Sequence, residues 1–274
     1  MSNITASEVN KLRKATGAGM MDCKNALVEA KGDFELAIEN LRKKGQKVAA
    51  KRADRDSSEG AVIAMVNDDQ TKGVIISLNC ETDFVAKNES FVDLAKSFCK
   101  IALNCSSLEE LLNSTHESMT VSEKLIEQTG VIGEKLEIGA FESVSSEHVG
   151  FYIHAGNKIA TLAGLSNKFE NVSDVSKNVA MQVAAMNPIA LNEDSVSKEI
   201  IEKEIEIAKE QLRAEGKPEA MLDNIAKGKL KKFFKDNTLV KQAYIKDNKS
   251  SVENYIQSEN NECVITDFKR VALV

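Results

Sequence analysis

The stretch GVIISLNCETDFVAKNESFVDLAKSFCKIAL, residues 73–103, decides how the chain is read. Its first part, Gly73 to Asn79, pairs in the reading with Ala61 to Val66 across the turn-rich Asn67, Asp68, Asp69 and Gln70. Two apolar runs joined by such a turn predict a β-hairpin. From about Asn88 to Leu103, Phe91, Leu94, Ala95, Phe98 and Ile101 recur at helical spacing and predict a helix with one buried face. Between hairpin and helix lies the loop Glu81, Thr82, Asp83, Phe84, Val85, which sets a large aromatic beside an acid. On composition, Phe84 reads slightly better as a staple tucked under the following helix than as a group left for a partner.

The same order returns downstream. After helical segments between Ser107 and Gly130, the strand-like Lys135 to Val144 leads into a second hairpin, Val149 to His154 and Lys158 to Leu165. A helix from Val172 to Met186 follows, with Val175, Val179, Val183 and Met186 in line. Val74, Leu94, Phe98 and Ile101 match Ile159, Val179, Val183 and Met186 at one constant offset, which predicts a duplicated strand-strand-helix unit. Between Ser195 and Phe234 the pattern changes. Ile201, Ile205, Ala208 and Leu212 form a coiled-coil seam, and after Gly216 and Pro218 a second helix carries Leu222, Ile225, Ala226, Leu230 and Phe233. The two helices should pair as a projecting hairpin. A short helix near Ser251 to Ile256 and a strand from Cys263 to Leu273 should return to the second half of the sheet.

Upstream, Thr5 and Glu8 make a capping box, and Ile4 with Val9 make a staple for a first helix ending near Gly17. A second helix after Gly19 buries Cys23, Ala26, Leu27 and Ala30 and stops at Gly32. Asp33 caps a third, in which Ala37, Ile38 and Leu41 repeat before Gly45. Residues 46–59 are strongly charged and read as a linker. The expected class is α+β. A three-helix domain and linker fill residues 1–55, a first core subdomain 56–145, and a second 146–274, interrupted by the helical hairpin at about 193–236.

A net charge of -6 and a pI near 5.4 supply no general basic field, so no direct nucleic-acid role is expected. The local basic runs, Lys43 to Arg55 and Lys227 to Lys235, read as solvated helix faces. Five cysteines without a close pair read as reduced, packed thiols, and the three histidines stand in no ligand spacing. No phosphate loop is present: Gly17-Ala18-Gly19 has no strand before it, and Lys24 lies too far on. A triad built on Cys80 and His154 is conceivable only on paper. No catalytic residue, metal or cofactor is therefore expected. Without an apolar leader or membrane span, a cytoplasmic location is expected.

Met20 and Met21 are anomalous, standing straight after Gly-Ala-Gly. Neighbouring helical residues point about 100° apart, so both cannot plug the bundle core and at least one is free for a partner.

Residues 12–24, LRKATGAGMMDCK, and residues 79–86, NCETDFVA, resemble nearly residue for residue the two signatures of the elongation factor Ts family. The resemblance continues through Gly32-Asp33, Ala49 to Lys51, the turn from His154 to Ile159, Ala184 to Pro188, and Gly216 to Pro218. It implies a ubiquitin-associated-like N-terminal domain and a core of two related subdomains. It also implies a guanine-nucleotide exchange factor whose partner is elongation factor Tu in its GDP form. By resemblance, Leu12, Arg13, Met20 and Met21 touch the partner's GTPase domain; Thr82, Asp83, Phe84 and Val85 dislocate its Mg²⁺; and His154 meets its far domain. Two departures stand out. Gln242-Ala243-Tyr244 replaces a Gln-Pro-aromatic turn, and the chain stops at Val274, so the C-terminal helical module of some members is expected to be missing. Self-association through the helical hairpin stays open, as do an unrelated partner for the three-helix domain and RNA contact by the basic arm.

Overall fold

The computed structural model describes residues 4–273. In chain order the elements are α1 (Ala6–Thr16), α2 (Met20–Glu29), α3 (Phe34–Arg52), β1 (Glu59–Val66), β2 (Lys72–Cys80), α4 (Asp83–Ala86), α5 (Glu89–Ala102) and α6 (Leu108–Asn113). There follow β3 (Thr115–His116), β4 (Met119–Thr120), α7 (Val121–Ile132), β5 (Glu137–Ser145), β6 (His148–Ile153), β7 (Ile159–Leu165) and α8 (Val172–Met186). The chain closes with α9 (Lys198–Ala214), α10 (Glu219–Asn237), β8 (Ala243–Tyr244), β9 (Asp247–Ser251), α11 (Val252–Glu259) and β10 (Ile265–Ala272). Mixed helix and sheet in this order is the expected α+β class.

Two antiparallel sheets of three strands, ordered β1-β2-β5 and β10-β7-β6, form the centre. Alternation along β1 and β2 explains why they face each other. Ala61, Ile63, Val74, Ile76 and Leu78 point to α5, where Phe91, Ala95 and Phe98 complete one core. Val62, Ala64 and Ile75 point the other way and meet Val144, Val149, Ala160 and Leu162 between the sheets. On the far side, Ala163 and Leu165 pack with Val175, Val179, Ala180 and Val183 of α8. The layers therefore run helix, sheet, sheet, helix. Strands buried on both faces lose their polar alternation, which is why Ala61 to Ala64 reads as an unbroken apolar run.

The duplicated unit is larger than the sequence suggests. Each hairpin and helix is followed, after an excursion, by one more strand that pairs antiparallel with the hairpin's second strand: β5 on β2, and β10 on β7. The expectation that the terminal strand rejoins the second sheet holds. Between α6 and α7, where only helix was expected, His116 and Met119 pair in a two-residue ladder.

The N-terminal bundle starts on its capping box: the Glu8 N–H donates to Thr5 Oγ1, and Thr5 N–H donates back to Glu8 at 2.7 Å. Val9, Leu12, Cys23, Leu27 and Ala37 fill its centre. One boundary needs correction. The third helix was expected to end before Gly45, with a linker to Glu59, yet α3 continues to Arg52. Gly45 is a point of close approach instead. A Cβ on Gly130 of α7 would lie 2.4 Å from the Gly45 Cα, so the two helices cross with backbone against backbone. Gly130 cannot carry a side chain there without parting the helices, whereas a Cβ on Gly45 would meet its nearest neighbour, the Ile126 carbonyl oxygen, at 3.4 Å.

The arm pairs as expected: Ala208 and Leu212 of α9 and Leu222 and Ala226 of α10 are buried along its seam, with Gly216 left-handed at the tip. At residues 242–244 the two residues that flank Ala243 are both tied into the fold. Buried Gln242 donates to the Met186 and Asp236 carbonyls, and Tyr244 stacks on Tyr255 with ring centres 4.1 Å apart.

Candidate partner-docking site

Phe84 is 84% exposed, although it belongs to a loop seated on the first core. The staple reading is thus wrong, and α4 explains how the ring stays out. Thr82 caps this single helical turn by accepting the Val85 N–H at 3.5 Å. Ala86 is buried and half-buried Val85 packs on the first core, so they fasten the turn from below. Helical spacing then throws Phe84, just before them, outward. Val85 serves as an anchor for the turn. Burying a phenylalanine contributes roughly 1.5–3 kcal/mol, which this chain forgoes by leaving the ring in water.

Three acidic residues surround the turn, each with a different task. Asp83 meets Lys87 at 2.6 Å, and that hydrogen bond holds its carboxyl below the ordinary range. Glu81 is bound by Arg52 at 2.7 Å, Arg55 at 3.1 Å and the Lys135 N–H at 2.7 Å. Burial pushes the Glu81 carboxyl up, but these donors outweigh it and the net direction is down. Glu134 accepts the N–H groups of Glu81 and Thr82 at 3.1 and 3.0 Å, and the Thr82 hydroxyl at 2.6 Å. The Arg52 and Arg55 end of the first basic run is therefore the counter-charge of a mostly buried glutamate. The solvated-face reading fails there because Glu81 is distant in sequence.

Met20 and Met21, at 55% and 63% exposure, are both bare, so neither plugs the bundle. Arg13 is exposed as well. Leu12 corrects the expectation: it is wholly buried among the three helices and cannot touch a partner unless the bundle opens. His154 stands exposed at the tip of the β6–β7 turn, with Tyr152 Oη 3.1 Å from its Nδ1. Gly156 and Asn157 take positive φ angles of 86° and 56° there, and the Asn157 carbonyl accepts the Val62 N–H at 2.7 Å.

These separate places are joined by contacts. Thr16, Ala18 and Asp22 share a crevice with Glu127, Gly130 and Val131 of α7. Gly133 ends α7 in the left-handed conformation, and Glu134 next to it holds Thr82. Cys80, just before that loop, is the register partner of Glu59, whose carboxylate pairs with Lys158 below the His154 turn. The bare methionines, the bare ring and the histidine are thus linked along one path.

Cys80 is buried, and desolvation, with the Glu134 carboxylate second, pushes its thiol up to about 12. Cys99 is held at about 12 by burial. A thiolate is the nucleophile, so neither residue is poised to react. All five cysteines are free and buried. A disulfide reagent at mildly alkaline pH is expected to titrate no thiol in the folded protein and all of them in denaturant. A fast-reacting Cys80 would reopen the nucleophile reading. Among the described residues no cluster of three or more His, Cys, Asp or Glu could hold a metal ion, and no helix is long and apolar enough to cross a membrane.

A layered α+β core that supports a bare aromatic ring, beside a bundle that presents two bare methionines, has the build of a protein that works by contact with another. The family model described as Elongation factor TS matches residues 81–273. Along their whole lengths, the chain is 67% identical to "Elongation factor Ts" of Christiangramia forsetii and 63% identical to that of Flavobacterium psychrophilum. The Cytophaga hutchinsonii protein of the same name is 47% identical, also over both full lengths. The chain belongs to the elongation factor Ts family.

Proposed function

We propose that the chain is a guanine-nucleotide exchange factor that docks on elongation factor Tu in its GDP form, displaces Mg²⁺ and releases GDP so that GTP can enter. The observation that carries the reading is the outward Phe84 ring on a turn capped by Thr82 and braced by Glu134. Family membership supports the partner's identity.

The mechanism needs no proton transfer. Mg²⁺ demands near-ideal octahedral coordination, so a ring wedged beside it removes a charge bridge to the diphosphate. Phe84 supplies shape and apolar contact. Asp83, kept ionised by Lys87, competes electrostatically or redirects a hydrogen bond near the ion. Met20, Met21 and Arg13 grip the GTPase domain, and His154 meets the far domain. Because linkage is reciprocal, GTP and Mg²⁺ weaken the factor's hold by as much as the factor weakens theirs, and the complex turns over.

The test is release of fluorescent GDP from purified elongation factor Tu in excess unlabelled nucleotide. A substoichiometric amount of the chain is expected to empty the whole pool far faster than spontaneous release. Unchanged release at a saturating amount of the chain would overturn the proposal.

A further inference from the structure

We infer that Glu134 is the positioning residue for Phe84, and that α3 and α7 act as one bracket bringing both braces of the wedge turn to their place. The inference rests on the wedge role proposed for Phe84.

A ring that is 84% exposed makes few contacts that could fix its direction. Its aim must come from the backbone beneath. Val85 and Ala86 fasten that backbone to the core, and one carboxylate holds its leading end: Glu134 Oε2 takes the N–H groups of residues 81 and 82, and Oε1 takes the hydroxyl of Thr82, which itself caps α4. A carboxyl group that accepts through both of its oxygens fixes orientation as well as position. Glu134 is placed by the left-handed stop at Gly133, φ 81°, and α7 is locked on α3 at the Gly45–Gly130 crossing. The far end of α3 carries Arg52, which reaches Glu81 of the same loop. Bracket and turn therefore meet twice, once from each helix. Movement of the bundle against the core would redirect the ring, so docking through Met20 and Met21 and insertion of Phe84 are mechanically coupled.

The experiment measures GDP release from elongation factor Tu over a range of concentrations of the full chain. Glu134→Ala is expected to lower the maximal rate about tenfold, with the half-saturating concentration little changed, because the methionine and histidine contacts remain. Glu134→Gln keeps a carbonyl oxygen for the two N–H groups and a polar amide for Thr82, and should restore most of the rate. Thr82→Val, which removes the hydroxyl and the cap without touching Glu134, should lower the maximal rate in the same direction. The double variant Phe84→Ala with Glu134→Ala should be no slower than Phe84→Ala alone, since both remove the same wedge. Independent, multiplying losses would overturn the inference, as would a full rate for folded Glu134→Ala beside a slow Phe84→Ala. If Phe84→Ala itself releases GDP at the wild-type rate, the wedge reading fails first.

Discussion

Phe84→Ala is expected to lower the maximal rate of GDP release promoted by this chain about thirtyfold, while leaving its melting temperature where it was. The separation follows from exposure. A side chain that buries little in its own fold contributes little to stability, so its removal leaves no cavity. On a partner the same ring would be fully desolvated, and truncating such an anchor costs about 2 kcal/mol or more, which corresponds to the rate factor given. Phe84→Leu should fall between the two, retaining apolar bulk without the flat face. Stopped-flow release and thermal denaturation on the same preparations check both halves. A folded Phe84→Ala that promotes release as wild type does would show that the ring is not the wedge.

The second large effect is structural. Gly130→Ala places a methyl 2.4 Å from the Gly45 Cα and 3.3 Å from the Gly45 nitrogen, and neither atom belongs to a side chain that can swing away. Overpacking of this kind costs about 1–3 kcal/mol. Alanine is the better helix former by roughly 0.5–1 kcal/mol, but the clash outweighs that gain. Gly228 in α10 is the control, because nothing stands within 4 Å of a Cβ placed there. Gly228→Ala should therefore hold its stability or rise slightly in denaturant titrations, while Gly130→Ala falls. Equal midpoints for the two variants would mean that the α3–α7 crossing is looser than its geometry indicates. Because Glu134 follows directly on the Gly133 stop of α7, Gly130→Ala should also lower exchange more than its loss of stability explains.

Much of this was legible in the residues. The Thr5–Glu8 capping box, the hairpin on either side of residues 67–70, the buried face of α5, that of α8 except for Met186, which lies exposed at its end, and the seam of the helical arm all follow from local rules of spacing and capping. What escaped was non-local. A glycine that ends a helix and one that admits a second helix look alike until the second helix is in place, and Gly45 is of the second kind. The basic run ending in Arg52 and Arg55 looked solvated because its acid lies on another element. Exposure of Phe84 could not be told from composition, since α4 is a single turn with no period of its own. Resemblance singled out that loop. It also named Leu12 as a contact, where burial gives it a supporting task. Glu134 is not legible in the sequence because a lone glutamate after a glycine carries no motif, and its three hydrogen bonds are what mark it.

The most direct measurement is the Mg²⁺ dependence of the acceleration itself. GDP release from elongation factor Tu is timed with and without saturating chain, first in millimolar Mg²⁺ and then in excess chelator. If Phe84 works by removing the ion, acceleration is large with Mg²⁺ present and shrinks once the chelator has already done that step. An acceleration of the same size in both conditions would contradict the account.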